Sequence, residues 1–89
     1  MRVPLYTRQF QKDIKRLEKQ TKNLNELKHV MTLLMEEKRI PPNFKDHPLL
    51  GYYKGFRECH VKPDWLLIYK TEGVEIYFTR TGSHSELFK

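Results

Sequence analysis

A single cysteine, Cys59, excludes a disulfide framework and fits a reducing compartment. With no partner nearby in the sequence, Cys59 reads as a small buried hydrophobe in a strand rather than a nucleophile. No apolar stretch approaches the ~18 residues of a membrane span, so no membrane association is expected. Met1-Arg2-Val3-Pro4-Leu5-Tyr6 lacks the hydrophobic core of a secretory leader, and the chain is read as cytoplasmic. Internal repeats, low-complexity tracts, HExxH and CxxC are all absent. A resident metal or cofactor is therefore not expected.

What is present is charge of one sign, aromatics and histidine. The chain has 89 residues and a net charge of +6, enough for one domain spanning 1–89 and no second. Its 38% hydrophobic and 31% charged residues fit a globular chain. Residues 1–40 carry ten Lys/Arg against five Asp/Glu, while residues 41–89 carry seven against six. The basic excess thus lies in the N-terminal half. Charge alone leaves two readings open, polyanion attraction and simple solubility.

Val3-Pro4-Leu5-Tyr6 reads as a short edge strand, where proline is tolerated. From Thr7 the pattern turns helical, with Phe10, Ile14 and Leu17 on one face. Arg8, Lys12, Lys15, Lys19 and Lys22 follow the opposite face within a stripe about 80° wide. An ordinary solvated face is the plain reading. Like-charge repulsion makes a one-sign stripe costly, which favours reading it as an anion-binding surface. Asn23-Leu24-Asn25-Glu26 resembles a capping box, with Asn23 as N-cap. The helix it opens carries Leu24, Leu27, Val30, Met31, Leu34 and Met35 towards a core, leaves His29 on the surface, and must end near Ile40 before Pro41-Pro42.

A loop over 43–50 leads to three strand-like runs, Tyr52 to Val61, Trp65 to Thr71 and Val74 to Thr81. Lys62-Pro63-Asp64 and Glu72-Gly73 supply the turns. The expected class is α+β: a small antiparallel sheet, made of the N-terminal strand and a three-stranded meander, with two N-terminal helices on one face. Residues 83–88 form a last helical turn or a tail.

The second half gathers proton-transfer groups: Asp46-His47-Pro48, His60-Val61-Lys62-Pro63-Asp64-Trp65 and Arg80-Thr81-Gly82-Ser83-His84. A meander brings the end of its last strand to the edge where its middle strand starts. Arg80 and His84 then return towards His60 and Asp64. Two histidines can act as base and acid near neutrality, arginine can grip phosphate oxygens, and Trp65 or Phe88 can stack an unpaired base. Such a set suits RNA cleavage through its own 2′-OH without a metal. Asp64 and Trp65 also have ordinary roles, as a turn residue and a core anchor. His47, His60, His84 and Asp64 can be set out as zinc ligands, but their spacing matches no metal motif. Arg80 poses a parity problem. Val74, Ile76 and Phe78 share its face on a flat strand, so the strand must bend or bulge for Arg80 to join the site.

The runs His47-Pro48-Leu49, Phe56 to Tyr69 and Arg80 to Phe88 resemble the YafQ-like branch of the RelE/ParE toxin superfamily of type II toxin–antitoxin systems. The resemblance covers nearly the whole chain and is strongest over 46–88. It implies a RelE-like fold and an mRNA interferase, an endoribonuclease that cuts mRNA in the ribosomal A site. It also implies a cognate antitoxin, and a toxin–antitoxin complex on operator DNA. The functional set it implies is His47, His60, Asp64, Arg80 and His84 for catalysis, with Trp65 and Phe88 holding the substrate. His84 is then the general acid, His60 and Asp64 take base or positioning roles, and Arg80 neutralises the phosphate. A ParE-like gyrase inhibitor and a non-catalytic RNA-binding or repressor subunit are the alternatives.

Overall fold

The computed structural model describes residues 1–20 and 23–88. Two helices, α1 (Arg8–Lys19) and α2 (Asn25–Met35), follow strand β1 (Val3–Tyr6). Then come β2 (His47–Pro48), β3 (Arg57–Lys62), β4 (Trp65–Glu72), β5 (Glu75–Gly82) and the short α3 (His84–Leu87). The five strands make one sheet in the order β1-β5-β4-β3-β2.

The α+β class and the meander of the sequence reading are present, but the sheet is mixed. β1 lies parallel to β5, with Val3 opposite Glu75 and Tyr6 opposite Phe78. The start of α1 explains this direction. Thr7 caps α1 by accepting from the Phe10 amide at 3.0 Å, and donates its hydroxyl to the Thr79 carbonyl at 2.8 Å. The end of β1 must therefore lie beside the end of β5.

α1 and α2 cover one sheet face. Phe10, Leu17, Leu27, Val30 and Leu34 pack there on Cys59, Leu67, Tyr69, Ile76 and Phe78, all buried. Fully burying a side chain such as Phe78 contributes roughly 1.5–3 kcal/mol. The other face has a smaller cluster, Leu66, Ile68 and Leu87, covered by Leu49, Tyr53 and Phe56.

Three local expectations are corrected. α2 starts at Asn25 with Leu24 as N-cap; the Asn23 side chain instead accepts from the Asn25 amide at 2.9 Å, so the expected capping box does not form. α2 also stops at Met35, before Ile40. Glu37 takes a left-handed φ of 58°, and the Lys38 amide donates back to the Leu33 carbonyl at 2.9 Å. That is a Schellman-type stop built without the usual glycine. Tyr52 and Tyr53 lie in a 3₁₀ turn, so β3 starts at Arg57.

Candidate active site

Strand register assembles the site on the sheet face away from α1 and α2. His47 pairs with Glu58, Glu58 with Ile68, and Ile68 with Arg80, one row across four strands. Such a row spans roughly 14 Å at the usual strand spacing. His60, Leu66 and Gly82 form the next row. Two bulges flank these rows. One, at Val61, interrupts the β3–β4 register, and the other, at Thr79, interrupts β4–β5. The Thr79 bulge resolves the parity problem: Phe78 faces the helices opposite Tyr69, while Arg80 faces the site opposite Ile68.

The histidines form a chain of rings. The His47 and His60 centroids are 6.1 Å apart, those of His60 and His84 also 6.1 Å, and Phe88 extends the row 6.1 Å beyond His84. Each end carries a carboxylate. Glu58, only 5% exposed, places Oε2 3.0 Å from His47 Nε2 and 3.5 Å from His60 Nε2. Asp64 Oδ1 lies 3.2 Å from both His84 Nδ1 and the His84 amide. Asp64 thus belongs to His84 and not, as its place in the sequence suggested, to His60.

The neighbouring segments are pinned. Asp46 Oδ1 accepts from Tyr69 Oη at 2.7 Å and from Arg57 Nε at 3.2 Å, which fixes the residue before His47. Burial, then the Asp46 carboxylate, push the Tyr69 phenol above its ordinary range and keep it a donor. Ser83 caps α3 in a true capping box with Glu86, so His84 opens a short helix of fixed orientation. Tyr53 packs edge-on against Phe88, with centroids 5.7 Å apart. Arg80 is held by Asp13 of α1, through Nε at 2.8 Å and Nη2 at 3.1 Å.

Trp65 is a correction. It is 5% exposed on the helix side of the sheet, and its Nε1 donates to Thr81 Oγ1 at 2.9 Å. A buried indole offers no face to a base, so Trp65 is a core anchor and not a substrate contact. Phe88, at 41% exposed, keeps its ring accessible. Arg8, Lys12, Lys15 and Lys19 are exposed on α1, while Lys22 lies outside the described residues. Burial and the nearby Asp46 and Glu58 carboxylates push the Cys59 thiol up to about 12, which removes it as a nucleophile.

The sequence reading missed Glu58 and Asp13. A signal was available for each. Glu58 shares strand parity with His60, and Asp13 interrupts the apolar face between Phe10 and Leu17. Among the described residues, His47, Glu58 and His60 bring ligand-type atoms within 4.8 Å of one another. This trio, and not the quartet with His84 and Asp64, is the set that fits a metal ion.

Residues 2–89 match the family model described as the bacterial toxin of type II toxin–antitoxin system, YafQ. The chain belongs to the YafQ toxin family. An Escherichia coli K12 relative named mRNA interferase toxin YafQ is 48% identical over 84 residues, which cover 93% of this chain and 91% of that protein. YafQ in the crystal structure of the E. coli DinJ–YafQ complex superimposes with a TM-score of 0.92 at 46% identity, over the whole of both chains. A metal-bound toxin from Helicobacter pylori superimposes with a TM-score of 0.92 at 43% identity, over 99% of this chain and all of that one.

Proposed function

We propose that this YafQ-family toxin is a single-domain, cytoplasmic mRNA interferase that cuts messenger RNA in the ribosomal A site. The observation that carries the reading is the pairing of His60 with His84. Their rings stand 6.1 Å apart on one sheet face, and each lies beside a different carboxylate. Two imidazoles at that separation can flank a phosphorus, one at the 2′-oxygen and the other at the 5′-oxygen.

His60, set beside Glu58, takes the proton from the 2′-OH, which then attacks the phosphorus. His84 has Nδ1 engaged by Asp64, so Nε2 donates the proton to the departing 5′-oxygen. Arg80 offers its N–H groups to the phosphate oxygens as charge builds there. Phe88 stacks the neighbouring base. The products are a 2′,3′-cyclic phosphate and a 5′-hydroxyl. The exposed Arg8, Lys12, Lys15 and Lys19 face, extended in sequence by Lys22, meets ribosomal RNA. By analogy with the E. coli DinJ–YafQ complex, a cognate antitoxin binds the toxin; action of the pair on operator DNA is the further expectation for a type II toxin–antitoxin system.

Mapping mRNA 5′-ends after brief induction, with His84→Ala as control, tests the reading. In-frame cuts with 5′-hydroxyl ends, lost in the variant, support it. DNA damage without mRNA cuts would point to a gyrase inhibitor, and neither outcome to a binding subunit. Either result overturns the reading.

A second reading concerns metal. The His47–Glu58–His60 geometry and the metal-bound H. pylori relative together favour binding of a transition ion at this trio. An ion there would occupy imidazole lone pairs that the base step needs, and so oppose cleavage.

A further inference from the structure

We propose that Asp13, buried in α1 and 67 residues from its partner in sequence, is the positioning residue that aims Arg80 at the scissile phosphate. The proposal rests on the cleavage reading above. Asp13 is 0% exposed, yet its carboxylate accepts four hydrogen bonds. They come from Arg80 Nε at 2.8 Å, Arg80 Nη2 at 3.1 Å, Arg16 Nη1 at 2.7 Å and the Thr81 amide at 3.1 Å. A carboxylate has about four lone-pair sites, so this one is saturated. Burial pushes the Asp13 carboxyl up, but the bonds from Arg80, Arg16 and Thr81 outweigh it and hold it below the usual range.

The geometry of the grip matters. Asp13 takes the side edge of the guanidinium, Nε and Nη2. Asp13 makes no use of the end edge, Nη1 and the outer N–H of Nη2, the edge suited to a bidentate phosphate contact. The Tyr53 hydroxyl lies close enough to interact with the guanidinium until a phosphate arrives. Without Asp13, a long side chain next to a bulge would sample several rotamers, and its order would have to come from the substrate.

The same network reaches the general acid. Arg16 Nη2 donates to the Thr81 carbonyl at 2.9 Å, and its Nε forms an ion pair with Glu86 Oε2 at 3.1 Å, without hydrogen-bond alignment. Glu86 in turn accepts from the Ser83 amide at 2.8 Å, closing the capping box that begins the His84 helix. Gly82 explains itself here. At φ 155°, a Cβ on it would lie 2.6 Å from Arg16 Nη2 and 2.8 Å from Glu86 Oε1. The glycine between Arg80 and His84 leaves room for the clamp.

The test is a double-mutant cycle in a ribosome-programmed mRNA cleavage assay. Asp13→Asn is expected to lower kcat by roughly tenfold to a hundredfold with KM nearly unchanged, and to cost little further in an Arg80→Ala background. The ¹⁵N–H signal of Arg80 Nε should be slow to exchange in the wild type and fast in Asp13→Asn. Equal losses in both backgrounds, or an unchanged Nε signal, overturn the proposal. If Asp13→Asn does not fold, Arg80→Lys carries the test. It keeps the charge but cannot be held side-on, so full activity would overturn the proposal. If the wild type cuts no mRNA, the cleavage reading fails, while the Nε signal still reports whether Asp13 holds Arg80.

Discussion

Asp64 holds His84 twice: one oxygen, Oδ1, lies 3.2 Å from the ring Nδ1 and 3.2 Å from the backbone amide. The contact fixes the imidazole orientation from an exposed position, where solvent screens the charge. Orientation therefore matters more here than attraction. Asp64→Ala should slow cleavage by about tenfold, against about a hundredfold or more for His84→Ala, with neither changing the thermal midpoint appreciably. Equal losses in the two variants would show that Asp64 does more than orient the ring.

Glu58 is buried where most carboxylates are not, between two imidazoles. Glu58→Gln keeps the shape but removes the charge, leaving an amide oxygen that is a weaker acceptor for the two rings. We expect a fall in kcat of about tenfold or more and a loss of stability of roughly 1–3 kcal/mol by urea unfolding. The same variant tests the metal reading. Calorimetric titration with Zn²⁺ or Cu²⁺ should give a saturable isotherm with the wild type and a weaker one with Glu58→Gln, and added metal should slow cleavage until a chelator is supplied. No saturable heat with the wild type would remove the metal reading.

Asp13 has a pH signature. Its carboxyl is held below the ordinary aspartate value of about 3.9. A depressed carboxylate contributes stability above its unfolded-state pKa and loses it as pH falls through the folded-state value. The stability gap between wild type and Asp13→Asn should therefore be full at pH 6–7 and close progressively below about pH 4. Urea midpoints measured across that range check it, and a gap that stays constant in acid would show that Asp13 is not ionised in the fold.

The sequence pattern carried the large elements because they obey simple periods. Phe10 and Leu17 of α1, and Leu27, Val30 and Leu34 of α2, are buried where the helical stripe placed them, and the turns fall at 63–64 and 73–74, within one residue of the expected 62–64 and 72–73. The misses have physical causes. α2 stops at a left-handed glutamate, Glu37, which no glycine signal announces. The capping pattern at Asn23 competes with an equally good local bond to Asn25, whereas the one at Ser83 forms because Arg16 holds Glu86. At the site, the histidines and Arg80 were legible from topology, and the parity of Arg80 itself demanded the bulge found at Thr79. Glu58 shares parity with His60, but that signal is masked because Arg57-Glu58-Cys59-His60-Val61-Lys62 does not alternate cleanly between buried and exposed positions. Trp65 misled for a related reason: the Val61 bulge leaves it packed with the helix-side core.

Trp65 and Phe88 give the last prediction, because one is buried and the other exposed. Trp65 is buried and donates to Thr81 Oγ1, which itself donates to the Leu66 carbonyl at 2.8 Å. Trp65→Phe removes that donor and part of the packing, so it should destabilise the fold by roughly 1–3 kcal/mol. KM and kcat of the molecules that remain folded should hardly change. Phe88 is exposed beside His84 and supports little of the core. Phe88→Ala should leave the unfolding midpoint within about 0.5 kcal/mol of wild type while weakening substrate binding by about 1–3 kcal/mol, read as a rise in KM. If Trp65→Phe instead raised KM at unchanged stability, the indole would have to swing out to meet RNA, and its assignment to the core would fail.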